Sequence, residues 1–238
     1  FDTTIDWRER HRMLKVAFPV DVLAPQATFE IQYGHLQRAT HANTSWDMAQ
    51  FEVCAQKWVD LSEPGYGVAL LNDCKYGHDV KDNVLRLSLL RSPTNPDPEA
   101  DQGEHRFTYA LLPHPGDLRE AGVIEQAYAL NVPLVLRDIH APTSGGGASA
   151  CESWLSFDRP GVVIEAVKMS EDGDALIVRF YEAHGSRGPA TLHVNLPVKS
   201  AMLADLLERD VQAAPLKNGR MRFDLKPFEI VTVKFAVK

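Results

Sequence analysis

The sequence predicts an all-β protein: antiparallel β-sandwiches with almost no helix. Three observations predict it. Apolar and polar residues alternate with period two through most of the chain, and hairpin turn residues stand between those runs. Only Asp117 to Leu130 carries apolar residues at helical spacing.

Leu14, Val16, Phe18 and Val20 point one way while Lys15 and Ala17 point the other, which reads as the first clear strand. Phe29, Ile31 and Tyr33 alternate with Glu30 and Gln32, Leu85, Leu87 and Leu89 with Arg86 and Ser88, and Phe107, Tyr109 and Leu111 with Arg106 and Thr108. Each reads as a half-buried strand of an antiparallel sheet. In the expected helix, Leu118, Ala121, Ile124 and Tyr128 share a face behind a capping Asp117. The later half alternates again over Val162–Met169, Ala175–Glu182, Thr191–Leu196, Met221–Leu225 and Ile230–Val237, with Asp172-Gly173 and Asn218-Gly219 as tight hairpin turns. Met202–Glu208 fits a helix by its leucines and a strand by its place among hairpins, and the strand is preferred. Two breaks interrupt the pattern, Ser92–Gly103 and His140–Ser153, and Gly145-Gly146-Gly147 makes the second the better boundary. The expected domains are a larger sandwich over residues 1–145 and a smaller one over 154–238.

Apolar residues make up 45% and charged residues 24% of the chain, as in soluble folded domains. No window approaches the ~18 apolar residues of a membrane span. The net charge of −7 is spread without a basic stripe, which argues against nucleic acid as a partner. Cys54, Cys74 and Cys151 form no closed disulfide framework and fit a reducing compartment. Asn43-Thr44-Ser45 matches the glycosylation acceptor pattern, which is frequent by chance. The opening Phe1-Asp2-Thr3 shows no targeting segment.

Catalytic motifs are missing: there is no G-x-S-x-G elbow, no cysteine with a histidine nearby in sequence and no phosphate-binding loop. His35 with His41, His78 with Asp79, and Glu182 with His184 lack closed metal-site spacing and read as hydrogen-bonded loop groups. Asp60, Glu63, Asp73 and Glu182 supply carboxylates whose separation the sequence leaves open. Three polar segments, QRATHANTSWD (37–47), NDCKYG (72–77) and EAHGS (182–186), sit at strand ends, where binding groups collect. The candidate contact residues are His41, Asn43, Trp46, Asn72, Asp73, Lys75, Tyr76, Glu182 and His184; the aromatic faces with amide, acid and amine groups would suit a sugar. A solvated loop cluster and a free-standing carbohydrate-binding module built on Trp46, Tyr76 and His184 are the alternatives.

The stretches ATHANTSWDMAQFEVCAQKWVDLSEPGYGVALLNDCKYG, LRLSLLRSP, HRFTYALLPH, RFYEAHGS and ADLLERD, in this order, closely resemble the C-terminal β region of α-mannosidases of glycoside hydrolase family 38, the cytosolic and bacterial type. The resemblance covers essentially the whole chain. It implies part of a galactose-mutarotase-like supersandwich followed by a smaller β-sandwich, with a sheet edge left open. It also implies a retaining hydrolysis of α-mannosides in oligosaccharides, with an aspartate nucleophile and a zinc ion held by aspartates and histidines in an N-terminal α/β barrel. Nothing in this chain matches that nucleophile or those ligands, so no catalytic residue and no metal ligand is carried over. Thr40–Asp47 and Asn72–Gly77 become the segments expected to face the barrel or its sugar pocket, in a cytoplasmic enzyme. A mutarotase-like enzyme on the same kind of sandwich would need a histidine/glutamate constellation, of which Glu182 with His184 is the only local trace.

Overall fold

The computed structural model describes residues 1–136 and 153–237, and the chain divides into two compact units, residues 1–134 and 135–238. The expected glycine linker at Gly145–Gly147 lies outside the described residues.

The first unit is a β-sandwich. Its strands are β1 (Asp2–Trp7), β2 (Leu14–Pro19), β3 (Gln26–Ile31), β4 (Gly34–Ala39), β5 (Val53–Cys54), β6 (Trp58–Glu63), β7 (Tyr66–Asn72), β8 (Gly77–Lys81), β9 (Val84–Leu90) and β10 (Gly103–Pro115). One sheet runs β1-β10-β7-β6-β3-β4 and the other β2-β9-β8-β5. Val59, Leu61, Val68 and Leu70 of the first sheet meet Val80, Leu85 and Leu87 of the second in one buried core, as period-two alternation requires. Two helices complete the unit, α1 (Ser45–Met48) and α2 (Val123–Asn131). The first is a single turn with a capping box, in which Thr44 and Asp47 exchange side-chain and backbone hydrogen bonds. The second packs on β6 and β7 and buries Val123, Ile124 and Ala127.

The second unit is also a sandwich, of β11 (Leu155–Phe157), β12 (Val162–Met169), β13 (Ala175–Glu182), β14 (Gly188–Val194), β15 (Val198–Ala204), β16 (Asp210–Ala214), β17 (Arg220–Leu225) and β18 (Ile230–Val237). Its sheets run β12-β13-β18-β15-β16 and β11-β14-β17. Val178, Phe180, Val233 and Phe235 face Ala190, Leu192 and Met221, and Phe180 lies against Phe157 and Phe223 at 4.7 and 5.1 Å between ring centroids. The Asn218-Gly219 turn has both residues at positive φ, +50° and +71°, which is the backbone this dipeptide was expected to supply.

Three expectations need correction. The helix begins at Val123, six residues later than Asp117. Asp117 does accept hydrogen bonds from the Arg119 and Glu120 amides, but these close an isolated turn, and Gly122 at φ +66° redirects the chain before the helix starts. Tyr33 is not in the strand, because at φ +57° it makes the β3–β4 turn. Met202–Glu208 is strand only as far as Ala204, and Asp205 then caps the following turn through its bonds to the Leu207 and Arg209 amides.

Candidate functional site

The NDCKYG segment is a built loop. Asn72 is buried, and its Oδ1 accepts from the Cys74 and Lys75 amides at 3.1 and 2.5 Å while Nδ2 donates to the Gln56 carbonyl at 2.9 Å. His78, fully buried beneath it, has Nδ1 3.2 Å from the Tyr76 carbonyl and Nε2 3.4 Å from Asn72 Nδ2. A carbonyl only accepts, so Nδ1 carries the proton and Nε2 accepts from the amide. Burial pushes the His78 pKa down to about 4, and the ring is neutral.

The neighbouring residues are engaged in the same way. Asp73 accepts from the Thr108 amide at 2.9 Å and donates its own amide to the Thr108 carbonyl, joining the loop to β10. Burial, and then the hydrogen bond with Asp73, push the Cys74 thiol up to about 11, so it is a poor nucleophile. Lys75 Nζ lies 4.5 Å from the Phe107 ring centre. Tyr76 projects outward, 59% exposed. The recess that Asn72, Asp73, Lys75 and Tyr76 help to line measures about 100 Å³, below the ~300 Å³ at which small-molecule sites begin.

Thr40–Asp47 lies elsewhere. The register Glu63↔Tyr66, Thr28↔Asp60 and Gln26↔Ala39 puts the end of β4 beside the β6–β7 hairpin, and Asn72 is at the opposite end of β7. Residues 50–55 then run back along β8, held by Lys81 Nζ to the Gln50 carbonyl, by Val53↔His78 and Cys54↔Gly77, and by the Ala55 amide to Tyr76. The two segments therefore occupy opposite ends of one lateral edge, about 16 Å apart by the five residues of β8 at ~3.3 Å each. Trp46 and Tyr76 cannot stack on one sugar ring. Along this edge Trp46, Met48 and Phe51 stand 83%, 61% and 81% exposed; His41 and Asn43 are exposed too, with His41 Nδ1 3.7 Å from Asp47.

Glu182 and His184, in the second unit, form no acid–base pair open to solvent. Glu182 is fully buried and accepts from the amides of His184, Ser186 and Phe228, from Ser186 Oγ at 2.8 Å and from Arg159 at 3.4 Å. The carboxylate organises the EAHGS turn, and the His184 ring lies against Gly161.

Two polar pairs carried no sequence signal beyond their residue types. His114 Nε2 meets Asp60 Oδ1 at 2.8 Å with both side chains buried, and Ser62 donates to Asp60 Oδ2 at 2.6 Å. Burial raises the Asp60 pKa against these hydrogen bonds. Lys57 bridges Glu30 at 3.1 Å and the Tyr128 ring of α2 at 4.4 Å. Gly67 is the residue over which the first pair closes, since a Cβ there would sit 2.2 Å from Ser62 Oγ and 2.5 Å from the His114 ring. Gly67→Ala is expected to cost the first unit about 2–3 kcal/mol in a denaturant titration, by breaking a buried pair.

Among the described residues no three His, Cys, Asp or Glu side chains converge as a metal-ligand set. These residues do not fit a zinc ion.

The fold defines a β region of two antiparallel sandwiches, and sequence comparison gives its family. Residues 1–99 match the glycosyl hydrolases family 38 C-terminal domain, and residues 161–233 match that family's C-terminal beta sandwich domain. The chain belongs to glycosyl hydrolase family 38, as its C-terminal β region. Human alpha-mannosidase 2C1 is 50% identical over 238 residues, which include 98% of this chain and 22% of that protein. Alpha-mannosidase G of Dictyostelium discoideum is 39% identical, over 99% of this chain and 22% of that protein. The crystal structure of an alpha-mannosidase from Enterococcus faecalis V583 superposes with a TM-score of 0.78 at 22% identity, over all of this chain and 27% of that one, and shares the fold. The chain thus spans about a fifth of the length of these relatives.

Proposed function

We propose that this chain is the non-catalytic C-terminal part of a retaining α-mannosidase, and that the lateral edge of its first unit seats the catalytic domain of the same polypeptide. The observation that carries the reading is the pairing of a family match across both units with a span of 22% of the relatives' length. An extended edge suits a domain better than a sugar: its exposed Trp46, Met48 and Phe51 lie along a hydrogen-bonded segment, not around a cavity. Mannose-containing oligosaccharide, and the zinc ion of the catalytic domain, belong to the longer polypeptide. The free thiols Cys54 and Cys74 fit a cytoplasmic setting. No helix of the described residues is long and apolar enough to cross a membrane.

The isolated chain is expected to give no turnover of an aryl α-mannoside with added zinc, while the longer polypeptide turns it over. Trp46→Ala with Phe51→Ala in the longer polypeptide should weaken domain docking by about 2–4 kcal/mol, read as faster limited proteolysis between domains and a lower kcat. Robust turnover by the isolated chain, abolished by a substitution within it, would defeat the proposal.

A further inference from the structure

The outer face of the six-stranded sheet, away from the core, holds a groove of about 480 Å³ that the mannosidase reading does not use. That volume falls within the ~300–1,000 Å³ of small-molecule sites. Register sets Gln37 of β4, Thr28 of β3 and Asp60 of β6 side by side across three strands. Neighbouring strands are ~4.8 Å apart, so an amide, a hydroxyl and a carboxylate stand in a row at that spacing on the groove floor. Gln26 and Ser62 lie on the same face two residues along, and the 116–120 segment forms a wall.

Thr28 and Asp60 are 7% and 2% exposed, so this is polar surface withdrawn from bulk water. Such burial is costly unless hydrogen bonds compensate it. His114 and Ser62 each give Asp60 one hydrogen bond, on different oxygens, whereas a carboxylate accepts about four. The wall is charged, since Glu63, Asp117, Arg119 and Glu120 line it, with Asp117 tied to the Arg119 and Glu120 amides and Glu63 to the Leu23 amide. The floor between is a row of alternating donors and acceptors, Gln37, Thr28 and Asp60.

We propose that this groove binds a polyhydroxylated ligand, a mono- or disaccharide, whose hydroxyls bridge Gln37, Thr28 and Asp60. Hydroxyl groups both donate and accept, which is what an amide, a hydroxyl and a carboxylate in sequence require. Desolvation of Asp60 adds to the case, because a hydroxyl donated to it stabilises a carboxylate that burial disfavours. The site is separate from the edge assigned to the catalytic domain and stands or falls without it.

The test is a titration of the 238-residue chain, isotope-labelled, with methyl α-mannopyranoside and in parallel methyl α-glucopyranoside, followed by NMR. Saturable shifts centred on Thr28, Gln37 and Asp60 are expected with at least one glycoside, in the millimolar range. Gln37→Ala, on an exposed side chain, and Thr28→Val, which keeps the shape and removes the hydroxyl, should each weaken binding about tenfold, equivalent to ~1.4 kcal/mol. Lys199→Ala in the second unit should change nothing. Absence of saturable shifts with both glycosides overturns the proposal, as do shifts that map elsewhere or affinity unmoved by both groove variants. A mannosidase assay of the longer polypeptide is unaffected by any of these outcomes, so the two readings fail separately.

Discussion

Acidification is expected to loosen the first unit through a single buried ring. In the fold His78 is neutral with a pKa near 4, whereas in the unfolded chain it titrates near 6.5. Between those values the unfolded state binds the extra proton, so stability rises with pH across this window and is lost as pH falls through it. The full effect is roughly 3 kcal/mol, at ~1.4 kcal/mol per pKa unit. About 2 kcal/mol of it should appear between about pH 7 and pH 5. The structural cause is specific. A proton on Nε2 turns an acceptor into a donor that faces the donating amide of Asn72, which is also bonded to the Gln56 carbonyl. His78→Gln should remove most of this pH dependence, at some cost in stability at neutral pH. Urea titrations of both forms at the two pH values decide it: parallel pH profiles for the two proteins would refute the assignment.

The second large effect is expected at Glu182. Its two oxygens accept from three backbone amides, one hydroxyl and one guanidinium, with no exposure to water. Glu182→Ala strands all of these donors at once, and the loss should be about 3–5 kcal/mol. Glu182→Gln keeps the volume but offers an NH₂ group to a ring of donors, and should cost about 2 kcal/mol. Amide hydrogen exchange locates the damage: protection should fall in β13 and β18, while Leu70 and Leu85 in the first unit remain protected. A variant as stable as the parent would show that the turn does not depend on this carboxylate.

The strands were legible where one face met a core and the other met solvent. Leu85, Leu87 and Leu89 against Arg86 and Ser88 repeat the burial pattern of β9 residue for residue. Tyr33 kept that rhythm into a turn, because alternation does not register a positive φ. The capping box of α1 stood in the sequence as Thr44 and Asp47 and was readable; a four-residue helix simply gives no periodicity to attract attention. The polar segments 37–47 and 72–77, grouped as one set of contact residues, lie apart for a reason of counting. Antiparallel strands reverse direction each time, so loops separated by three strands, here β5, β6 and β7, lie at opposite ends. Glu63-Pro64-Gly65 was available as the hairpin that makes β6 and β7 two strands. Asp60 was visible as a candidate carboxylate, but its partner His114 lies 54 positions away, and only the sheet brings them together. His78 and Asp79 read as hydrogen-bonded loop groups, and both are hydrogen-bonded, but they stand in β8, where neighbouring residues face opposite sides. The first went into the interior and the second to Lys15 and Arg86.

The stretch from Trp46 to Ala55 has a mechanical implication. Its backbone pairs with β8 at Val53 and Cys54 and is held at Gln50 by the Lys81 side chain and at Ala55 by the Tyr76 carbonyl, so the interval between Trp46 and Tyr76 is set by a hydrogen-bonded strand and not by a tether. Whatever seats on this flank must match a length as well as a chemistry. One residue inserted between Met48 and Val53 would shift the aromatic end out of step with the tyrosine end while leaving every contact group intact, a ruler cut to the wrong mark.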